Sequence, residues 1–259
     1  MSGSAAWSGR QVRDSFNDIP SVLYYTRAAH FLGLWESERL MLGRFLPELS
    51  ADIVEAGCGA GRVTVGLWNL GYRRICAFDF AAELLDQARS LAAEQAIRGI
   101  AFHHADATRV DAAALGRAPG ARFGAALFLF NGLMQIPGRP NRRRALRRLH
   151  ALCRPGSPLL FTTHDRDYAP AEAARWQAEA RAWAAGRRDP RLRDFGDRHF
   201  QDASGPVFIH IPDRAEILAD LEATGWEPAF DAMRSQLAAE KAAVFDFSDD
   251  CRFWAATRR

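Results

Sequence analysis

Lysine is nearly missing from this chain: of its 34 lysine and arginine residues, Lys241 is the single lysine. The rest are arginine, whose planar guanidinium suits carboxylate and phosphate recognition, although so uniform a bias also fits genome composition. Cysteine is scarce too. Cys58, Cys76, Cys153 and Cys251 lie far apart with no Cys-x-x-Cys pair, which argues against a zinc site and offers no disulfide framework, so no metal is expected. No apolar run approaches the roughly eighteen residues of a membrane span, and residues 1–13 lack the apolar stretch of a leader. We therefore expect a soluble, cytoplasmic protein with no membrane partner. A large charge excess is absent as well. The formal net charge is +3, too small to point to a nucleic-acid partner.

What remains is an ordinary globular composition: 259 residues, 48% hydrophobic and 25% charged, which excludes a disordered chain. Residues 1–20 begin polar and read as a frayed arm. Residues 21–45 carry apolar positions at helical spacing and read as one or two helices. Short apolar runs at 52–56, 74–80, 100–104, 125–130 and 158–163 read as strands. They alternate with helical segments at 63–70, 82–95 and 140–152. This alternation calls for a parallel sheet with right-handed crossovers. The pattern breaks at 165–205, which is rich in arginine, aspartate and aromatics. A strand at 207–211, a helix at 213–224 and two strands at 226–233 and 252–257 complete the reading.

The most informative segment is Val54-Glu55-Ala56-Gly57-Cys58-Gly59-Ala60-Gly61-Arg62. It follows a strand and opens a helix, where glycines allow a tight turn and close approach of a ligand to the backbone. Its Gly-x-Gly-x-Gly spacing differs from the Gly-x-Gly-x-x-Gly of dinucleotide sites. Glu55 stands where an acid would repel a pyrophosphate but attract a cation. Asp79, before Phe80 at the end of the second strand, is placed to accept hydrogen bonds from two ribose hydroxyls. Asp106, before Ala107 and after the third strand, is placed for the exocyclic amine of an adenine, or is simply a helix cap. A cation, a ribose and an adenine together describe S-adenosylmethionine better than a dinucleotide.

On these residues the sequence resembles the class I S-adenosylmethionine-dependent methyltransferases. Glu55 to Gly61 matches the family's first motif, Asp79 its second and Asp106 its adenine-contacting acid. Phe128-Leu129-Phe130-Asn131-Gly132-Leu133 resembles the fourth-strand motif. Arg154-Pro155-Gly156-Ser157 resembles the turn before the fifth strand, with serine in place of a second glycine. The resemblance is close over residues 50–165 and loose over 206–257. It implies a doubly wound α/β fold around a mostly parallel seven-stranded sheet, with S-adenosylmethionine as cofactor and S-adenosylhomocysteine as product. It also implies one domain across 1–259: an N-terminal helical lid (1–48), a cofactor core (49–165), a cap carrying acceptor contacts (166–212) and the rest of the sheet (213–259). Expected cofactor contacts are Tyr24, Glu55, Gly57, Cys58, Gly59, Gly61, Arg62, Asp79, Phe80, Asp106, Ala107, Phe130 and Asn131.

The acceptor side is less determined. Ligands of open parallel sheets bind beyond the carboxyl ends of the strands. That places Asn131, His164, Asp165 and Arg166 as candidates, with His164 as base or orienting group and Asn131 and Asp165 beside it. The alternative is that His164 bonds backbone and Arg166 is solvated. Asn131 is followed by Gly-Leu-Met rather than the Pro-Pro-Tyr/Phe of the family's adenine and glutamine N-methylating members, which argues against those substrates. Tyr25, Trp176 and His210 are further acceptor candidates, and the tyrosines and Trp176 suit amphipathic packing equally. The arginine run at 139–148 reads as a solvated helix face, because no aromatics interleave it as a single-strand platform would need. The sequence thus leads to methyl transfer onto a small-molecule nitrogen, oxygen or sulfur. An RNA- or protein-modifying methyltransferase and a noncatalytic cofactor-binding module are the alternatives.

Overall fold

The computed structural model describes residues 6–202 and 204–259. Its centre is a seven-stranded sheet in the order β3-β2-β1-β4-β5-β9-β8. The strands β1 (Asp52–Ala56), β2 (Arg74–Asp79), β3 (Ile100–His104), β4 (Ala125–Phe128) and β5 (Pro158–Thr163) pair in parallel. β9 (Arg252–Arg258) runs antiparallel between β5 and β8 (Trp226–Met233). β1 and β4 are buried at every position, which is why they read as continuous apolar runs rather than alternating ones. β3 lies at the sheet edge and is half exposed.

Alternate residues of each strand face two separate cores. Ile53, Ile75, Leu127, Leu160 and Phe253 pack beneath α3 (Glu36–Phe45) and α4 (Arg62–Leu70). Val54, Phe78, Phe128, Phe161 and Trp254 pack beneath α6 (Arg139–Leu152) and α8 (Arg214–Glu222). α5 (Ala82–Glu94) meets α4 and α2 (Ile19–Phe31) in a third apolar cluster. α4 starts after Gly61 and ends before Gly71, both in left-handed conformation, the backbone state that favours glycine.

Several expectations need correction. The arm expected over 1–20 contains α1 (Gly9–Phe16), started by a capping box between Ser8 and Gln11; residues 1–5 of that expectation lie outside the described residues. β4 stops at Phe128, two residues early, because Phe130 and Asn131 both take positive φ. Strand β7 (Gly205–His210), expected at 207–211 within the cap segment, lies outside the main sheet. It pairs with an unexpected β6 (Asp197–Asp202) in a separate hairpin after α7 (Pro170–Ala184). Two short helices, α9 (Arg234–Leu237) and α10 (Ala242–Phe247), fill the link between β8 and β9. The arginine run of α6 is not simply solvated. Arg139 and Arg143 both bond Asp220 on α8 at 2.7 Å, and the buried Arg142 bridges Asp194 and Glu216. No helix among the described residues is long and apolar enough to cross a membrane.

Candidate active site

A cavity of about 590 Å³ opens at the carboxyl ends of β1 to β4. The glycine loop forms its floor. Gly57 has φ +63°, and a Cβ there would come within 2.8 Å of the Phe128 ring, so this turn tolerates no side chain. Gly59, at φ +52°, has nothing within 4 Å of its Cβ position and leaves the backbone open to a ligand.

Three acids meet this cavity, each held differently. Asp79 accepts from the Gly59 amide through one oxygen and the Ala81 amide through the other, both at 2.8 Å. Burial pushes its carboxyl pKa up, against the pull of these amides. Each oxygen keeps a lone pair, as a group serving two ribose hydroxyls requires. Glu55 is buried and accepts from Thr64 Oγ1 at 2.7 Å. Burial pushes it up to about 7, so a cation brought beside it would draw it into the ionised form. Asp106 is exposed; its Oδ1 accepts from the Thr108 amide and hydroxyl at 2.8 Å. It therefore caps the turn after β3 while facing the same space.

Of the expected cofactor contacts, Glu55, Gly57, Cys58, Gly59, Arg62, Asp79, Phe80, Asp106, Ala107 and Phe130 line the cavity together, joined by the expected acceptor contact Tyr25. Arg62 is already engaged: its guanidinium bonds Glu38 at 2.6 and 2.7 Å and the Gly33 carbonyl at 2.8 Å. Gly61 lies behind the wall with its Cβ position 3.0 Å from Ala88. Tyr24 turns away, its hydroxyl donating to the Phe247 carbonyl at 2.9 Å.

The expected acceptor group is not assembled at this cavity. His164 sits behind Asn131. Its Nε2 is 3.2 Å from Asn131 Nδ2, and its Nδ1 is 3.2 Å from the Asp250 carbonyl. Burial lowers the imidazole pKa, so the ring is neutral, donates from Nδ1 and accepts the Asn131 amide at Nε2. Its basic lone pair is occupied. Asn131 is tied by its amide to Thr162 Oγ1 at 2.8 Å, while its buried Oδ1 has no partner among the described residues. Asp165 bonds Arg252 at 2.7 Å, and Arg166 bonds Asp213 and the Ile211 carbonyl. Trp176 packs edge-on against Phe195 beneath Arg198. His210 is fully buried, with Nδ1 2.8 Å from Asp197 and Nε2 2.9 Å from Glu216. Arg166 and His210 thus meet in an ion cluster at Glu216, and Asp165 has its charge partner in Arg252.

Other residues complete the cavity. Val12, Phe16, Arg10 and Arg13 come from α1, Ala28 from α2 and Phe247 from α10. The unusually regular Ser-x-x-Gln start of α1 was the one signal that could have revealed its helix. Phe247 carries none, since a phenylalanine in a short exposed stretch reads as packing.

Comparison with known proteins bears on this geometry. Residues 53–156 match the family model of a methyltransferase domain. No curated protein matches the sequence. A solved structure described as a [4+2]-cyclase superposes with a TM-score of 0.66 at 16% identity, covering 99% of each chain. An S-adenosylmethionine-dependent methyltransferase from Methanosarcina mazei gives 0.62 at 15% identity, covering 87% of this chain and 98% of that one. The 1,6-didemethyltoxoflavin N1-methyltransferase of Burkholderia thailandensis, solved with that compound and S-adenosylhomocysteine, gives 0.60 at 16% identity, covering 98% and 92%. At such identities the likeness speaks for the fold. Together with the strand order it identifies the Rossmann-like methyltransferase fold, and the family match gives residues 53–156 as a methyltransferase domain, with S-adenosylmethionine as the cofactor.

Proposed function

We propose that the chain transfers a methyl group to a nitrogen, oxygen or sulfur of a small molecule. The observation that carries this reading is the cavity's cover. α1, α2 and Phe247 reach over the strand ends, so the space is a pocket for a small acceptor rather than a groove for a polymer. In this reading residues 1–48 act as lid and residues 166–212 as a cap whose ion cluster braces the site. Solved relatives described as acting on 1,6-didemethyltoxoflavin and on magnesium protoporphyrin IX are of the same kind.

The residues present fit the cofactor. Asp79 would hold the ribose, Asp106 and Ala107 the adenine with Phe80 against its face, and the glycine loop the backbone contacts. Glu55 would face the cationic end. S-adenosylmethionine supplies a methyl group on a sulfonium, a carbon already activated for displacement. The protein's part is to orient a nucleophile about 3 Å from that carbon and to exclude water. With S-adenosylmethionine bound, formation of the new bond to carbon would be matched by loss of the carbon–sulfur bond, whose electrons would stay on sulfur. An acceptor proton leaves to solvent. His164 holds Asn131 behind the cavity wall, where the Asn131 backbone follows Phe130 of the lining.

The test is transfer of labelled methyl from S-adenosylmethionine to a small-molecule acceptor library, run beside total RNA and denatured protein. Transfer to small acceptors alone is expected. Transfer to RNA that falls steeply with salt would overturn the reading, as would cofactor binding with no transfer to any small molecule.

A further inference from the structure

The aromatic wall of the cavity does something that cofactor binding does not require. The Phe247 ring lies between two others, stacked on Tyr24 at 4.6 Å and 18° and on Phe130 at 5.3 Å and 20°. Tyr25 meets Tyr24 and Phe130 edge-on, at 5.4 and 6.1 Å. Three rings are thus stacked face to face, with a fourth closing the side. Phe130 is presented by a backbone φ of +57°, a region that bulky residues rarely adopt and that tends to be retained at ligand sites.

The outer rings and the middle ring are anchored unequally. Tyr24 belongs to the 13-residue α2, and Phe130 lies two residues past the end of β4. Phe247 ends the six-residue α10, where Val244 is the one buried side chain and Phe245 is 51% exposed. So short a helix, held by Val244, by Arg234 on the Ser248 carbonyl at 2.8 Å and by Arg234 over the Phe245 ring, has few contacts to break on opening. The Tyr24 hydroxyl ties the Phe247 carbonyl, but that bond leaves the Phe247 ring free to rotate. Phe247 also shares the cavity wall with Tyr25 and Phe130, so moving its ring enlarges the space next to the cofactor floor.

Offset, nearly parallel rings at these spacings accommodate a flat conjugated molecule, whereas a saturated ring is too thick and has no face to stack. We propose that the acceptor is a planar aromatic molecule whose ring takes the slot that Phe247 fills between Tyr24 and Phe130. Phe247 swings outward with α10 to admit it. One stack replaces another, so the cost of entry is the Val244 packing, the Tyr24–Phe247 hydrogen bond and the Arg234 contacts of α10. The inference rests on the small-molecule reading given above and adds the class of acceptor to it.

The experiment has a binding arm and a transfer arm. In the first, protein saturated with S-adenosylhomocysteine is titrated with 2-naphthol, followed by naphthol fluorescence, with cyclohexanol as competitor. Naphthol binds and cyclohexanol does not displace it. Phe247→Leu vacates the slot and tightens naphthol about tenfold, whereas Phe130→Leu removes a platform and weakens it about tenfold. Equal binding by all three proteins, or displacement by cyclohexanol, overturns the slot. In the second arm, matched acceptors are offered with S-adenosylmethionine: 2-naphthol against cyclohexanol, and 8-aminoquinoline against cyclohexylamine. Transfer to saturated acceptors alone overturns the slot while leaving small-molecule transfer standing. Slot binding by naphthol with no transfer to any small acceptor overturns the activity while leaving the slot standing.

Discussion

Two sets of buried acids sit within one chain, and they are held in opposite ways. In the cofactor cavity, Glu55 and Asp79 are bonded by a hydroxyl and by backbone amides, and burial pushes both carboxyls up. Beneath the β6–β7 hairpin, Asp197 and Glu216 face the His210 ring, and Arg142 and Arg139 approach Glu216. There His210 draws both carboxyls down against burial, Glu216 to about 2. Among the described residues the first set has no ion pair, which leaves it to be completed by a ligand. The second has its cations and is complete without one. An acid's neighbours thus separate a binding site from a structural brace more sharply than burial does.

The largest effect is expected at the brace. His210→Ala leaves Asp197 and Glu216 facing an emptied space, and removing one partner of a buried ion network typically costs about 3–5 kcal/mol. Urea denaturation should show that loss, while calorimetry on the folded fraction finds cofactor affinity unchanged. The pH dependence has a definite sign. Carboxyls lowered in the folded state contribute stability above their unfolded values, near 4, and lose it as pH falls toward about 2. Wild type should therefore lose stability over that window more steeply than the mutant. If His210→Ala instead abolishes cofactor binding in folded protein, the two regions are not separate.

Next in size is Asp79→Ala. Losing two charge-assisted hydrogen bonds to a ribose should weaken S-adenosylmethionine binding by about 2–4 kcal/mol. Titration calorimetry measures it, with thermal unfolding as the control on the fold. Wild-type affinity in a folded mutant would remove Asp79 from the cofactor shell.

The same contrast explains how much was legible in the sequence. Asp79 and the glycine loop are joined by main-chain contacts at the ends of adjacent parallel strands. Sequence spacing fixes such contacts once the strands are recognised, so the cofactor floor could be read in advance. His210 meets Glu216 six residues away and Asp197 across a hairpin turn, while Arg142 reaches the cluster from α6. No periodicity announces that meeting, and His210 reads as well for a pocket as for a brace. Phe247 escaped for the same reason, because its ring partners lie on α2 and just beyond β4. The alternating strands were readable from burial on both faces, whereas β6 is half exposed and carries almost no apolar signal.

A smaller effect tests the incomplete acid itself. Glu55 titrates near 7 in the folded protein, well above an unfolded glutamate. A raised acid stabilises the fold below its unfolded value, and that contribution is lost as pH rises through the folded one. Ligand-free wild type should therefore lose on the order of 2 kcal/mol relative to Glu55→Gln between pH 5 and pH 8, as measured by urea denaturation at each pH. S-adenosylmethionine should offset the loss and release a proton on binding below pH 7, visible as a buffer-dependent heat. Parallel pH profiles for the two proteins would mean that Glu55 is already satisfied.

The smallest effect is expected at His164, which lies between the two regions. Its position past β5 suits a catalytic base, yet its Nε2 lone pair is taken by Asn131 and its Nδ1 hydrogen by the Asp250 carbonyl. Burial lowers the imidazole pKa, which disfavours gain of a proton by the ring in turnover. What it holds is the Asn131 amide, whose buried Oδ1 has no partner among the described residues. His164→Ala should therefore slow methyl transfer by less than about tenfold, under about 1.4 kcal/mol in the barrier. It should leave the shape of the pH–rate profile unchanged. His164→Gln offers Asn131 a new carbonyl acceptor and should recover most of the rate, which a lost base would not allow. A removed general base typically costs about 100-fold or more. A loss of that size with cofactor affinity intact, together with a vanished acid limb in the profile, would return His164 to the chemistry and place a moving proton where the structure has a fixed one.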